Sequence, residues 1–100
     1  MAIRHIALYR FVEGTDAAQV EALSEGLARL PGAIPSLGDY RFGADAGLND
    51  GNWDFAVVAD CASVDDYLAY RDHPEHQALL VTLIQPMLAE RAAIQLTTPG

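Results

Sequence analysis

The sequence predicts an α+β fold, and three observations carry the prediction. Four short segments rich in β-branched and aromatic residues alternate with two stretches of helical spacing, in the order strand, helix, strand, strand, helix, strand. The first strand is apolar on both faces, so both faces must be covered. No linker, repeat or low-complexity tract interrupts the 100 residues, which therefore form a single domain over residues 1–100.

The first strand runs from Ile3 to Phe11. A period of two places Ile3, His5, Ala7, Tyr9 and Phe11 on one face and Arg4, Ile6, Leu8 and Arg10 on the other. Gly14-Thr15-Asp16 is a turn in which Thr15 or Asp16 can cap a helix. Val20, Leu23, Leu27 and Leu30 then recur at helical spacing, and Pro31-Gly32 is expected to stop the helix. Asp39 to Gly43 is the second strand and Trp53 to Asp60 the third, with Trp53, Phe55 and Val57 on its apolar face. Between them, Gly47 and Asn49-Asp50-Gly51-Asn52 are turn residues, so the two strands make a hairpin with a long tip.

Ser63-Val64-Asp65-Asp66 fits a capping box and starts a short helix carrying Tyr67, Leu68 and Tyr70. Pro74 cannot continue that helix but suits the first turn of a new one, which extends through Leu79, Leu80, Leu83 and Ile84. Pro86 is expected to kink or restart it before Met87 and Leu88, and Arg91 to Thr97 is the fourth strand. This order suits a four-stranded antiparallel sheet with its helices on one face, a ferredoxin-like sandwich. The Ile6 and Leu8 side of the first strand suggests that a second copy covers the other face.

Composition narrows the chemistry. The formal net charge is −8, and all six cations are arginine. Without lysine there can be no Schiff base, pyridoxal phosphate anchor or P-loop cation. Scattered arginines on an acidic chain argue against nucleic acid and against anionic membrane surfaces. The negative charge should also repel anionic substrates unless Arg4, Arg10 or Arg41 is turned toward them. Cys61 is alone, which excludes an internal disulfide and fits a reducing compartment. Arg4, His5 and Arg10 interrupt the apolar amino-terminal segment, so no leader is expected, and a cytoplasmic location follows.

The three histidines are the natural acid/base groups. His5, in mid-strand, is first a core histidine satisfied by one hydrogen bond; a working residue is the sharper alternative. His73 and His76 flank Pro74-Glu75, and helix capping is the simple account of both. The functional alternative has His76 pointing from the first helical turn toward the sheet, meeting His5 or Tyr70 in a polar corner of an apolar pocket. Asp72, His73, Glu75 and His76 could also ligate a metal, but the proline interrupts the spacing and no third ligand is fixed. Ser24, Ser36 and Ser63 lack the setting of a nucleophile, Cys61 reads as an inert buried thiol, and Asp60, Asp65 and Asp66 read as surface or capping acids. Tyr9, Tyr40, Phe42, Trp53, Phe55, Tyr67 and Tyr70 are core residues; if some line a gap under the helices, it would suit a small flat apolar or phenolic molecule.

Ile3-Arg4-His5-Ile6-Ala7-Leu8-Tyr9-Arg10-Phe11, Gly14-Thr15, Ile34-Pro35 and Tyr70-Arg71-Asp72-His73-Pro74-Glu75-His76, in this order, resemble the stress-responsive dimeric A/B barrel domain family (Dabb). The resemblance implies a ferredoxin-like protomer that forms a homodimer through its sheet, giving a dimeric α/β barrel with helices outside. It also implies a pocket related to that of the family's plant polyketide cyclases. There the matching positions make His76 the base and Tyr70 its assistant, with His5 as the strand histidine. Leu27 and Phe55 stand where those cyclases carry a tyrosine and a histidine, which implies a more apolar pocket here. A divalent cation is known in the family, and no residue pattern here assigns its ligands; no organic cofactor is expected. The expected function is small-molecule binding with cofactor-independent acid/base chemistry, cyclase- or isomerase-like. The alternative is a non-catalytic stress or interaction protein.

Overall fold

A computed structural model describes residues 1–99. Strand β1 (Ala2–Phe11) leads into helix α1 (Ala17–Ala33), then the hairpin strands β2 (Tyr40–Ala44) and β3 (Phe55–Cys61). Helices α2 (Val64–Asp72) and α3 (Pro74–Leu79) follow, then a π-helical turn (Leu80–Ile84), a 3-10 turn (Gln85–Met87) and strand β4 (Leu88–Thr98). The sheet order is β2-β3-β1-β4, with every neighbouring pair antiparallel. The ferredoxin-like sandwich expected from the sequence is therefore the fold.

The alternation in β1 is the alternation of the two faces. Ile3, His5, Ala7 and Tyr9 are buried under the helices, whereas Arg4 lies on the outer face and pairs with Asp60 of β3, Nε to Oδ1 at 2.8 Å. Leu23, Leu27 and Leu30 of α1 are buried against Phe55, Val57 and Ala59 of β3 in one core. That burial, rather than helix propensity, is what holds so short a chain together.

Local chemistry accounts for the ends of the elements. Asp16 caps α1, its carboxylate accepting from Gln19 N while Gln19 Oε1 accepts from Asp16 N, both at 2.9 Å. At α2 Ser63 Oγ accepts from Asp66 N at 3.1 Å, which is the forward half of the predicted box. In the hairpin tip Gly47 and Gly51 take positive φ, and Asp45 accepts from Gly47 N and from Asn52 Nδ2.

Three boundaries differ from expectation. Helix α1 continues through Pro31 to Ala33, because a proline removes only its own N–H, and Ile34 N still closes on Leu30 O at 2.9 Å. Strand β3 begins at Phe55, not Trp53: Asp54 binds the end of β1 with backbone and side chain, its N–H donating to Tyr9 O and its carboxylate accepting from Phe11 N. Trp53 thereby lies apart from the core beneath Arg10, whose guanidinium carbon is 4.4 Å from the ring centroid. Strand β4 begins at Leu88, three residues earlier than expected, because Pro86 ends the helical run in one 3-10 turn and leaves Leu88 to pair with Phe11.

Candidate functional site

The site is built at the step between α2 and α3. His73 precedes a proline and takes the extended conformation that such a residue prefers, with φ −61° and ψ 135°, so it ends one helix and caps the next. Its Nδ1 accepts from Glu75 N at 3.1 Å, which gives His73 the capping role. The step turns the first residues of α3 back toward the last turn of α2. The carbonyl of Arg71, otherwise an orphan of the helix end, then accepts from His76 Nδ1 at 2.9 Å and from Gln77 Nε2 at 2.6 Å.

This bond sets the tautomer of His76. A carbonyl can only accept, so Nδ1 carries the hydrogen and Nε2 keeps its lone pair. Burial lowers the pKa of His76, and Arg91 lowers it further against the opposing bond to Arg71 O, so the neutral ring is favoured. The ring lies 4.5 Å, centroid to centroid, from that of Tyr70 at an interplanar angle of 37°.

Tyr70 is buried, and burial, reinforced by Tyr40, raises the pKa of its phenol, keeping it protonated. It can donate a hydrogen bond but cannot serve as a base near neutrality. Burial likewise pushes Tyr40 up to about 12. The buried Tyr40 hydroxyl has no hydrogen-bond partner among the described residues; Tyr70 influences its ionisation from an edge-on ring at 6.2 Å without reaching bonding geometry.

His5 enters from the sheet. Its ring centroid is 5.3 Å from Tyr67 and 6.3 Å from Tyr70. Gln95 Nε2, on the residue directly opposite in β4, donates to His5 Nδ1 at 2.9 Å and leaves the ring hydrogen on Nε2. Burial, with help from the charges of Arg91 and His76, lowers its pKa to about 4. His5 is thus both the satisfied core histidine and part of the pocket wall.

His5, Tyr70 and His76 all line one cavity of about 100 Å³, together with Tyr9, Tyr40, Tyr67, Arg91 and the apolar side chains of Leu27, Leu79 and Ile84. Leu27 contributes to this wall as the comparison with the cyclases implied, whereas Phe55 belongs to the core and to a different hollow. That hollow, about 460 Å³ on the outer side of the hairpin, is larger but holds no histidine or tyrosine. The small cavity is therefore the one of the two that gathers histidines and tyrosines.

Tyr67 is one of the aromatic residues expected to line a gap under the helices, whereas sequence spacing missed Arg91 as a pocket residue and Gln95 as the partner of His5. Gln95 and Arg91 are four apart in β4 and so share the inward face, a signal that becomes legible only once β4 is known to pair with β1. Asp72, His73, Glu75 and His76 do not converge. Among the described residues no three His, Cys, Asp or Glu side chains gather to hold a metal ion. Among the described residues no helix is long and apolar enough to cross a membrane.

Comparison with known proteins agrees with this architecture. A dimeric ferredoxin-like protein of unknown function from Thermobifida fusca is 52% identical, with a TM-score of 0.91 over 98% of this chain and 92% of that one. A Dabb family protein from Mesorhizobium loti has a TM-score of 0.81 at 17% identity, over 99% of this chain and 98% of that one. A hydroxynitrile lyase from Passiflora edulis also has a TM-score of 0.81, at 18% identity over 98% of this chain and 97% of that one. At such identities the last two speak for the fold alone. A search of curated proteins finds no match. The family profile of the stress responsive A/B barrel domain covers residues 3–97, and the chain belongs to that family.

Proposed function

We propose that the protein binds a small organic molecule in the cavity between sheet and helices and performs cofactor-independent acid/base chemistry on it, with His76 as base. The observation that supports this reading most directly is the hydrogen bond from His76 Nδ1 to Arg71 O at 2.9 Å. It presents the other nitrogen as an unprotonated acceptor beside a phenol that burial keeps protonated.

A carbonyl compound would use both groups. Tyr70 donates to the carbonyl oxygen, and His76 Nε2 removes a proton from the adjacent carbon. The C–H electrons form the C=C bond while the carbonyl pair moves to oxygen, and return of the proton to another atom completes an isomerisation. Closure onto a second carbonyl would make the same pair cyclase-like. His5, with its hydrogen on Nε2, is a second donor in the wall, and the unpartnered Tyr40 hydroxyl is a polar group that a ligand or water atom would satisfy.

The cavity bounds the ligand. At about 100 Å³ it holds the equivalent of roughly three water molecules, less than the roughly 150 Å³ that accommodates a benzene ring. A phenolic ligand would therefore have to displace part of the wall, and a short aliphatic one fits better. The same narrowness favours the second reading, a non-catalytic stress or interaction protein in which these groups only complete the core.

The active unit in this proposal is a cytoplasmic homodimer, as the buried free thiol of Cys61 and the dimeric relative from Thermobifida fusca suggest. Ile6, Leu8 and Ile94 form an apolar hollow on the outer sheet face, and Ile94 and Leu96 are 55% and 42% exposed there. An apolar surface of this kind is what a partner sheet would bury to close the barrel.

The test is native mass spectrometry of the purified protein for a retained small molecule, followed by solvent-deuterium exchange into small ketones. Exchange catalysed by the protein and lost in His76→Ala, with the fold intact, supports the acid/base reading. No retained molecule and no exchange beyond the buffer rate would favour the non-catalytic one.

A further inference from the structure

The pocket differs in charge from the molecule around it. The chain has fourteen acidic residues and a formal charge of −8, yet among the described residues no aspartate or glutamate lines the cavity, whereas two arginines do. Arg71 is neutralised by its neighbour, Nε to Asp72 Oδ1 at 2.8 Å and Nη2 to Oδ2 at 2.9 Å. Arg91 makes no ion pair among the described residues.

The placement of Arg91 follows from the register of β4. It stands opposite Tyr9, whose side chain is buried under the helices, so Arg91 shares the inward face with Gln95. Glu90, the adjacent acid, belongs to the outer face and approaches Arg10 at 3.9 Å, which leaves Arg91 without a carboxylate. The arginines that sequence reading considered for an anion lie elsewhere. Arg4 is paired with Asp60, Arg10 covers Trp53, and Arg41 faces outward opposite Val58.

We propose that the ligand of this pocket is a short-chain carboxylate with an enolisable carbonyl, and that Arg91 at the mouth holds its carboxylate. The inference rests on the acid/base reading of the same pocket and adds the charge of the substrate. A guanidinium presents paired N–H donors that match a carboxylate in geometry as well as charge. Its field already reaches both histidines and the Tyr9 phenol, so it would also favour the enolate that forms when His76 removes a proton. The carboxylate at the mouth leaves the carbonyl end to enter beneath Tyr70 and His76, which suits the small volume. The overall negative charge then does not exclude an anionic substrate, because the lining of the pocket carries Arg91 and, among the described residues, no carboxylate.

The experiment measures binding of pyruvate and acetoacetate, each beside its uncharged amide, by ligand-observed NMR to the full-length protein. Binding of each acid at least about tenfold tighter than its amide is expected, as for a hydrogen-bonded charge contact. Arg91→Gln should remove that preference and Arg91→Lys retain part of it, while His76→Ala keeps the preference and loses exchange of the ligand protons. Acid and amide binding alike, or a preference that survives Arg91→Gln in a variant of unchanged circular dichroism, overturns the role of Arg91 and leaves the acid/base reading standing. If neither acids, amides nor the neutral ketone 2-butanone bind, both this inference and the acid/base reading fall.

Discussion

Gln95 Nε2 lies 2.9 Å from His5 Nδ1, across the pair formed by β1 and the edge strand β4, and the two residues are direct register partners. The contact gives an imidazole among tyrosines a partner for Nδ1, leaves the hydrogen on Nε2, and favours the neutral ring.

Stability should therefore depend on pH. The pKa of His5 is about 4 in the folded protein against 6.5 when exposed, with burial the main cause. For a base with a lowered folded pKa, the unfolded chain binds more protons, so stability is complete above pH 6.5 and is lost as pH falls toward 4. His76 is shifted the same way. Allowing for solvent screening through the cavity mouth, the loss for His5 is roughly 2 kcal/mol. Urea unfolding at about pH 7 and about pH 4.5 should show it, and His5→Gln should flatten the dependence. Equal slopes in the two proteins would contradict the assignment.

Tyr70→Phe retains the ring that packs 4.5 Å from His76 and removes only the hydroxyl. The melting temperature should change little, whereas proton exchange on a bound ketone should fall by roughly 100-fold, the usual scale for one oxyanion donor. The midpoint of the fall in exchange rate with acid should lie below 6.5, the ordinary histidine value, because burial lowers the pKa of His76. A midpoint above 6.5 would point to a different base.

Ile94→Asp places a charge in the centre of the apolar outer face, next to Ile6 and Leu8. Since Ile94 is 55% exposed in the protomer, the fold should survive while the dimer dissociates. Sedimentation velocity reads this directly, and an unchanged dimer would move the interface elsewhere.

Gly38→Ala should destabilise the protein by about 1–3 kcal/mol. A Cβ there would stand 2.8 Å from Asp60 O, the carbonyl to which Gly38 N donates at 2.8 Å. Backbone cannot yield as a side chain can, so the connection between α1 and β2 would have to shift. Thermal unfolding measures the cost.

The fold was legible because its cues are local. Alternation in Ile3 to Phe11, helical spacing from Val20 to Leu30 and the proline before Glu75 each act over a few residues. Tyr70 and His76 were legible for the same reason, being brought together by one turn between adjoining helices. Gln95 and Arg91 were not, since what they face depends on register between the two ends of the chain, which no local pattern encodes. Of the misplaced boundaries, those at Trp53 and Leu88 are places where contact with β1 outweighs local preference, whereas at Pro31 the helix's own next hydrogen bond, Ile34 N to Leu30 O, carries it on.

The roof of the cavity is made partly from Leu80 and Ile84, the two ends of the π-helical turn. Such a turn is an α-helix with one residue too many, a length variation absorbed without breaking the helix. Deleting a single residue between Leu80 and Ile84 would restore an ordinary helix but rotate everything before it by roughly 100° relative to everything after. Leu79 and His76 would then leave the wall while Met87 and β4 stayed in place. The shape of the pocket is thus set by a count of residues as much as by their identity, and relatives differing by one residue here would share the fold but not the outline of the cavity.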